Sequence, residues 1–181
     1  FYRQAATGPG IDELGTADAV KINTDENFEQ TAPFVGGTMS RDLYDGIREF
    51  TDGFLAEQRD LFDERVREGR IRESHGDLHL GNIFFLAEPV IFDCIEFNRR
   101  FRCGDVGVDL AFLAMDLDFH GRPELSERLV ARYIAASGDR GVAEVMDFYR
   151  CYRAYVRGKI ACFSMSDPSL EPEQRRCHLE L

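Results

Sequence analysis

Asp77 and Asn82 stand five positions apart in the stretch Ser74-His75-Gly76-Asp77-Leu78-His79-Leu80-Gly81-Asn82, and Asp93 follows eleven positions later. Two carboxylates and a carboxamide are hard oxygen donors, a set that suits magnesium, which takes few protein ligands and keeps several waters. Phosphoryl transfer needs such a set, because its transition state is stabilised mainly by positioning and by cations bridging phosphate oxygens. In that chemistry Asn82 and Asp93 hold the metal and, through it, the nucleotide phosphates. Asp77 accepts the proton of the attacking hydroxyl and aligns it with the phosphoryl group.

These side chains meet only if the chain folds back on itself. The apolar run Ile83-Phe84-Phe85-Leu86, the break Ala87-Glu88-Pro89 and the run from Val90 to Phe97 predict a β-hairpin. A turn centred near Glu88 sets Asn82 and Ile83 opposite Asp93 and Cys94, which brings Asn82 and Asp93 together. Asp77 approaches from a glycine-bearing loop.

The surrounding pattern is helical. From Ser40, the residues Leu43, Ile47, Phe50, Phe54, Leu61, Phe62 and Val66 recur near a 3.6-residue period. They predict one long amphipathic helix, capped by Ser40 and ended by Gly69 in the left-handed region. Further helices are expected from Asp109, from Pro123, and from about Gly141 to Phe163. The last has Val145, Phe148, Tyr149, Tyr152, Val156 and Ile160 as its buried stripe, with Arg150, Arg153 and Arg157 on a solvated face. Residues 1–39 show no sustained period and read as an irregular segment packed on the lobe, with one short helix around Glu13 to Val20. Residues 40–166 form the lobe itself, and 167–181 a C-terminal extension. The fold class is α+β: a mostly helical lobe with one hairpin carrying the metal ligands.

At 181 residues and 44% hydrophobic content the chain closes a single core. Its longest apolar runs are strand-sized, far short of the roughly 20 residues of a membrane span. A formal charge of −11 opposes binding to nucleic acid and to anionic membrane surfaces. The five scattered cysteines form no C-x-x-C pair, which fits cytoplasmic thiols better than disulfides or zinc. The start at Phe1, without a methionine or signal sequence, reads as a fragment of a longer protein.

The segment resembles the catalytic core of the aminoglycoside phosphotransferase family, which includes choline-kinase-like enzymes and is similar in fold to protein kinases. Asp77 and Asn82 have the spacing of the protein-kinase loop H-R-D-x-x-x-x-N. The resemblance implies that His75 buttresses the loop, Asp77 is the catalytic base, Asn82 is a metal ligand, and Asp93 is the metal-binding aspartate of D-F-G, here followed by Cys94-Ile95. Gly104-Asp105-Val106-Gly107-Val108-Asp109-Leu110-Ala111 resembles the family's G-D-x-x-x-D-L-A, with Asp109 steadying the catalytic loop from behind. Phe92 to Asn98, Ala111 to Asp118 and Tyr152 to Arg157 look like an uncharacterised bacterial branch, often fused to a P-loop domain. No G-x-x-x-x-G-K-[ST] occurs here.

What the resemblance implies is a phosphotransferase moving the γ-phosphate of ATP or GTP, with Mg2+, to a small-molecule hydroxyl. Lys21 and Lys159 are the only lysines, neither in a V-A-I-K-like strand, and no G-x-G-x-x-G is present. The nucleotide-binding N-lobe of the same protein is therefore expected outside this chain, which alone should turn over little.

Two other readings compete. In a metal-dependent phosphoesterase, His75, Asp77, His79 and Asp93 serve as ligands, although Leu80 stands where the G-D-x-H-G motif has glycine. A kinase-like binding module keeps the fold without catalysis. His79 reads more simply as a loop histidine making a local hydrogen bond. Glu96 reads as a substrate contact or as the ion-pair partner of Arg99, Arg100 or Arg102. Asp116 and Asp118, near His120, read as solvated.

Overall fold

The computed structural model describes residues 1–169 of the chain. It is mostly helical with two small antiparallel sheets, the α+β arrangement expected. The order is α1 (Pro9–Asp12), α2 (Ala17–Thr31), α3 (Arg41–Glu57), α4 (Arg59–Arg67), β1 (Ile71–Glu73), β2 (Ile83–Phe85), β3 (Pro89–Ile91), α5 (Arg99–Arg102), β4 (Cys103–Asp105), α6 (Val106–Phe119), α7 (Pro123–Ser137) and α8 (Val142–Ser166).

Helix α6 is the axis of the lobe. Leu110, Ala111 and Ala114 are buried against Val142, Val145, Met146 and Tyr149 of α8, while Leu55 of α3, Phe62 of α4, and Ala17 and Val20 of α2 close the core. The small alanines let α6 and α8 approach, and Phe54 stacks on Phe148 with centroids 4.7 Å apart. A second cluster, Phe28, Met39, Tyr44, Tyr155 and Cys162, pins α2 and α3 to the far half of α8.

Two expectations fail here. Residues 1–39 are not irregular: α2 runs for 15 residues, capped by Thr16, whose side chain accepts from the Ala19 amide. Its buried face includes Thr24, Asn27 and Thr31, so polar residues occupy positions where an apolar period would have betrayed the helix. The Thr31 hydroxyl bonds the Asn27 and Phe28 carbonyls and the Tyr155 hydroxyl, which makes its burial tolerable. The long helix expected from Ser40 is two, broken at Gln58, whose amide still bonds the Phe54 carbonyl. Ser40 does cap α3, accepting from the Leu43 amide, and Gly69 takes φ +67°.

A buried ionic triad locks the helices to the strands. Arg65 of α4 forks onto both oxygens of Asp105 at 2.7 Å and also onto Asp139, between α7 and α8. All three are almost fully buried. Asp105 further accepts from the Gly107 amide, so it, and not Asp109, caps α6. Burial alone would raise the Asp139 carboxyl, but the Arg65 hydrogen bonds and charge outweigh it and hold it below its ordinary value.

β1 pairs with β4, and β2 with β3. The hairpin register differs from expectation: Ile83 faces Ile91 and Phe85 faces Pro89, across the three-residue loop 86–88. Pro89 is the first residue of β3 and not part of the turn, a place where its missing N–H costs no ladder bond. In place of Asp93 and Cys94, Phe92 lies beside Asn82, its amide bonding the Asn82 carbonyl at 3.1 Å.

Candidate active site

The loop 75–82 is held by its backbone from both sides. On one side lie two carboxylates of α6, seven positions apart and so two turns along one face. Asp109 accepts from the amides of His75 and Gly76, each at 2.8 Å, and from the Tyr2 hydroxyl at 3.1 Å. Asp116 accepts from the Leu80 amide at 2.8 Å. Each is 1% exposed, so Asp116 is not the solvated residue expected.

On the other side are two arginines of α8, one turn apart. Arg153 donates to the Gly76 carbonyl at 2.6 Å and lies over the Phe112 ring, 4.8 Å from its centroid. Arg157 donates to Asp116 at 2.7 Å. Neither belongs to the solvated face assigned to it: Arg153 is 6% exposed, and Arg157 is largely covered. The signal was present, since Val145, Tyr149 and Arg153 form one i, i+4 series, which carries the buried stripe directly into the arginine. Arg150 instead reaches Ser126 of α7.

Gly76 must be glycine. Its φ is +83°, and a Cβ there would stand 2.7 Å from the Phe101 carbonyl oxygen. The tight packing behind it turns the next side chain, Asp77, outward.

His75 ties the loop to the hairpin. Its Nδ1 accepts from the Asp77 amide at 3.3 Å, which leaves the proton on Nε2 to be donated to the Phe92 carbonyl at 2.8 Å. Its own carbonyl accepts from the Ile95 amide. With both ring nitrogens engaged, His75 has no lone pair free for a metal. Among the described residues no group of three or more His, Cys, Asp or Glu could hold one.

Asp77 and Asn82 are in contact. The Asn82 carboxamide donates to the Asp77 carbonyl at 3.0 Å and to its carboxylate at 3.4 Å. That commits Nδ2 and leaves Oδ1 as the acceptor facing elsewhere. His79 makes the local bond expected, its Nδ1 accepting from the Gly81 amide, and places Nε2 3.5 Å from the Asp77 carboxylate. Burial pushes the Asp77 carboxyl up, but the His79 hydrogen bond, with the electrostatic pull of His79 and the Arg153 guanidinium, outweighs this and holds it below its ordinary value. The group is ionised at neutral pH.

Asp93 lies two residues beyond β3, exposed, at φ +62°, the one non-glycine residue with positive φ among those described. Such a backbone costs about 1 kcal/mol or more in a residue with a Cβ, and aspartate is among the few that tolerate it. The kink turns the chain away from the hairpin directly after the Phe92 bond to Asn82. Glu96 is exposed too, but the ion pair with Arg99, Arg100 or Arg102 is not formed: Arg102 takes Glu73 and the Glu96 carbonyl, and Arg100 takes Glu26.

Two cavities flank the loop. One of about 510 Å3 is lined by Tyr2, Ser74, His75, Leu78, Phe92 and Asp93. The other, about 580 Å3, lies between α6 and α8 and receives Asp77, His79 and Gly81. His75 and Leu78 thus face one cavity and Asp77, His79 and Gly81 the other, and Asp77 and Asp93 open onto different ones.

A mostly helical lobe with an aspartate loop, an asparagine five residues on and a hairpin leading to a further aspartate defines a kinase-like phosphotransferase lobe. A family model described as the phosphotransferase enzyme family matches residues 16–149. The chain belongs to this aminoglycoside phosphotransferase-like family. It is 37% identical over 171 residues to uncharacterized proteins of Mycobacterium bovis and Mycobacterium tuberculosis, covering 93% of this chain and 34% of each relative. The chain thus spans about a third of the length of these curated relatives. No solved structure matches it. No helix among the described residues is long and apolar enough to cross a membrane.

Proposed function

We propose that the whole protein transfers the γ-phosphoryl group of ATP or GTP to a hydroxyl of a small molecule, and that this chain supplies the catalytic lobe. The observation that carries the proposal is the Asn82 to Asp77 contact, which sets an ionised carboxylate beside a carboxamide whose Oδ1 remains free to coordinate. Asp77 takes the acceptor's proton; the acceptor oxygen bonds to the γ-phosphorus as the bond to the β,γ-bridging oxygen breaks, releasing nucleoside diphosphate.

Magnesium fits the donors available: the Asn82 Oδ1 and the exposed carboxylate of Asp93 are hard oxygens, and two protein ligands suit an ion that keeps its waters. When bound, the ion neutralises charge on the phosphate oxygens. His75 and Asp109 act on the loop backbone and hold Asp77 in place.

The cavity holding His75 and Asp93 is the nucleotide side in this reading. Phe84, Phe85, Leu86, Val90 and Ile91 of the hairpin region are exposed, and apolar side chains left exposed together mark an interaction surface. An N-lobe of the same protein, bearing the nucleotide-binding lysine and glycine loop, would cover it. The chain alone is then close to inactive. Engagement of both His75 nitrogens weighs against the phosphoesterase.

Calorimetry of ATP binding to the longer protein tests this: binding should require magnesium and weaken at least tenfold in Asp93→Asn. Magnesium-independent binding with no labelled product would favour the binding module.

A further inference from the structure

We infer that the acceptor is an alcohol with an apolar body and a second oxygen that accepts hydrogen bonds, and not a polycation, and that it lies in the groove between α6 and α8. This rests on the phosphotransfer reading for the fate of its hydroxyl, but the groove's chemistry stands by itself.

Asp77 opens into this groove, so a hydroxyl reaching the proposed base must come from there. The walls are largely apolar. Phe119, at the end of α6, is 57% exposed and Ile160, on α8, is 49% exposed; both line the groove with Met115 and Phe112. Large apolar side chains left exposed around one concave site are what an apolar ligand covers.

The charges of the groove point the same way. The chain carries −11 overall, yet the groove is not acidic. Its two carboxylates are already engaged: Asp116 by Arg157 and the Leu80 amide, Asp77 by Asn82 and His79. An ammonium group would find no unpaired anion and would face Arg157. Arg157 spends Nη1 on Asp116, and its remaining N–H groups bond nothing else among the described residues. His120 sits half-exposed beside it, with Nε2 3.8 Å from Asp116. Arginine has donors only, so the group that completes it is an acceptor oxygen, a carboxylate or carbonyl.

The test follows methyl resonances of Met115 and Ile160 in the longer protein during titration with phenyllactate, with 2-phenylethanol, which lacks the second oxygen, and with spermidine. Phenyllactate should give saturable shifts, 2-phenylethanol at least fivefold weaker binding, and spermidine none at these methyls. Phe119→Ser, an exposed position where loss of fold is not expected, should weaken phenyllactate binding about tenfold and leave magnesium-ATP binding unchanged. Preferential binding of spermidine, equal affinity for the two aryl alcohols, or no effect of Phe119→Ser overturns the inference. Absence of labelled product from every alcohol, with these shifts intact, would instead count against the phosphotransfer reading.

Discussion

Arg153 donates to the carbonyl oxygen of Gly76 across 2.6 Å, joining the longest helix of the lobe to the residue immediately before Asp77. Asp109 holds the amide of the same glycine, so its peptide groups are fixed from opposite sides. Arg153→Met keeps the bulk and removes both bond and charge. Displacement of a reacting group by about 1 Å can cost up to about 100-fold in rate. In the longer protein kcat should fall tenfold or more, with acceptor KM changed less. The Asp77 carboxyl should titrate at higher pH, a change that a purely structural loss would not single out.

The pH behaviour of Asp77 has a definite sign. Its folded pKa is depressed, so its contribution to stability is present above the unfolded value and is lost as pH falls through the folded one. An acidic limb of activity due to Asp77 should therefore lie below the usual carboxylate range. In His79→Ala the hydrogen bond and the attraction of the imidazole are gone, and the limb should move upward. Carbon-detected NMR of the Asp77 carboxyl checks it; an unchanged midpoint would show that His79 does not set the charge.

Arg65 stands between two carboxylates that have no access to water. Arg65→Met leaves both buried and unpaired, at a cost of about 3–5 kcal/mol. Urea unfolding should register this as a lower midpoint. Asp139, held below its ordinary pKa, adds stability that is lost only as pH falls through its folded value. The mutant should be relatively better tolerated in acid, where the orphaned Asp139 can protonate.

Gly76→Ala forces a Cβ to within 2.7 Å of the Phe101 carbonyl at a left-handed φ. Stability should drop by about 1–3 kcal/mol. Hydrogen exchange should show faster opening of the His75 and Gly76 amides while amides in α6 and α8 away from the loop change little.

Much of the arrangement was legible because its causes are local. Ser40, Gly69 and Pro123 mark helix ends through caps and φ preferences that belong to single residues. The contact between Asp77 and Asn82 follows from a short loop. What escaped was decided by tertiary packing. Asp116 and Arg157 look like surface charges until α6 and α8 are laid side by side, and Arg153 reads as solvated unless it is placed on the stripe of Val145 and Tyr149. The helix from Ala17 to Thr31 hid its buried face behind threonine and asparagine. The hairpin register turned on whether Pro89 belonged to the turn or to the strand, and that moved the partner of Ile83 by two positions. Asp93 consequently follows the Phe92 bond to Asn82 at a left-handed kink, and is not paired directly with Asn82.

The most direct measurement is single-turnover transfer of labelled γ-phosphate by the longer protein carrying Asp77→Asn, with magnesium-ATP binding followed in parallel. Asp77 as the proton acceptor predicts loss of transfer by 100-fold or more with nucleotide binding within about twofold of the unaltered protein. Transfer at the original rate would contradict it.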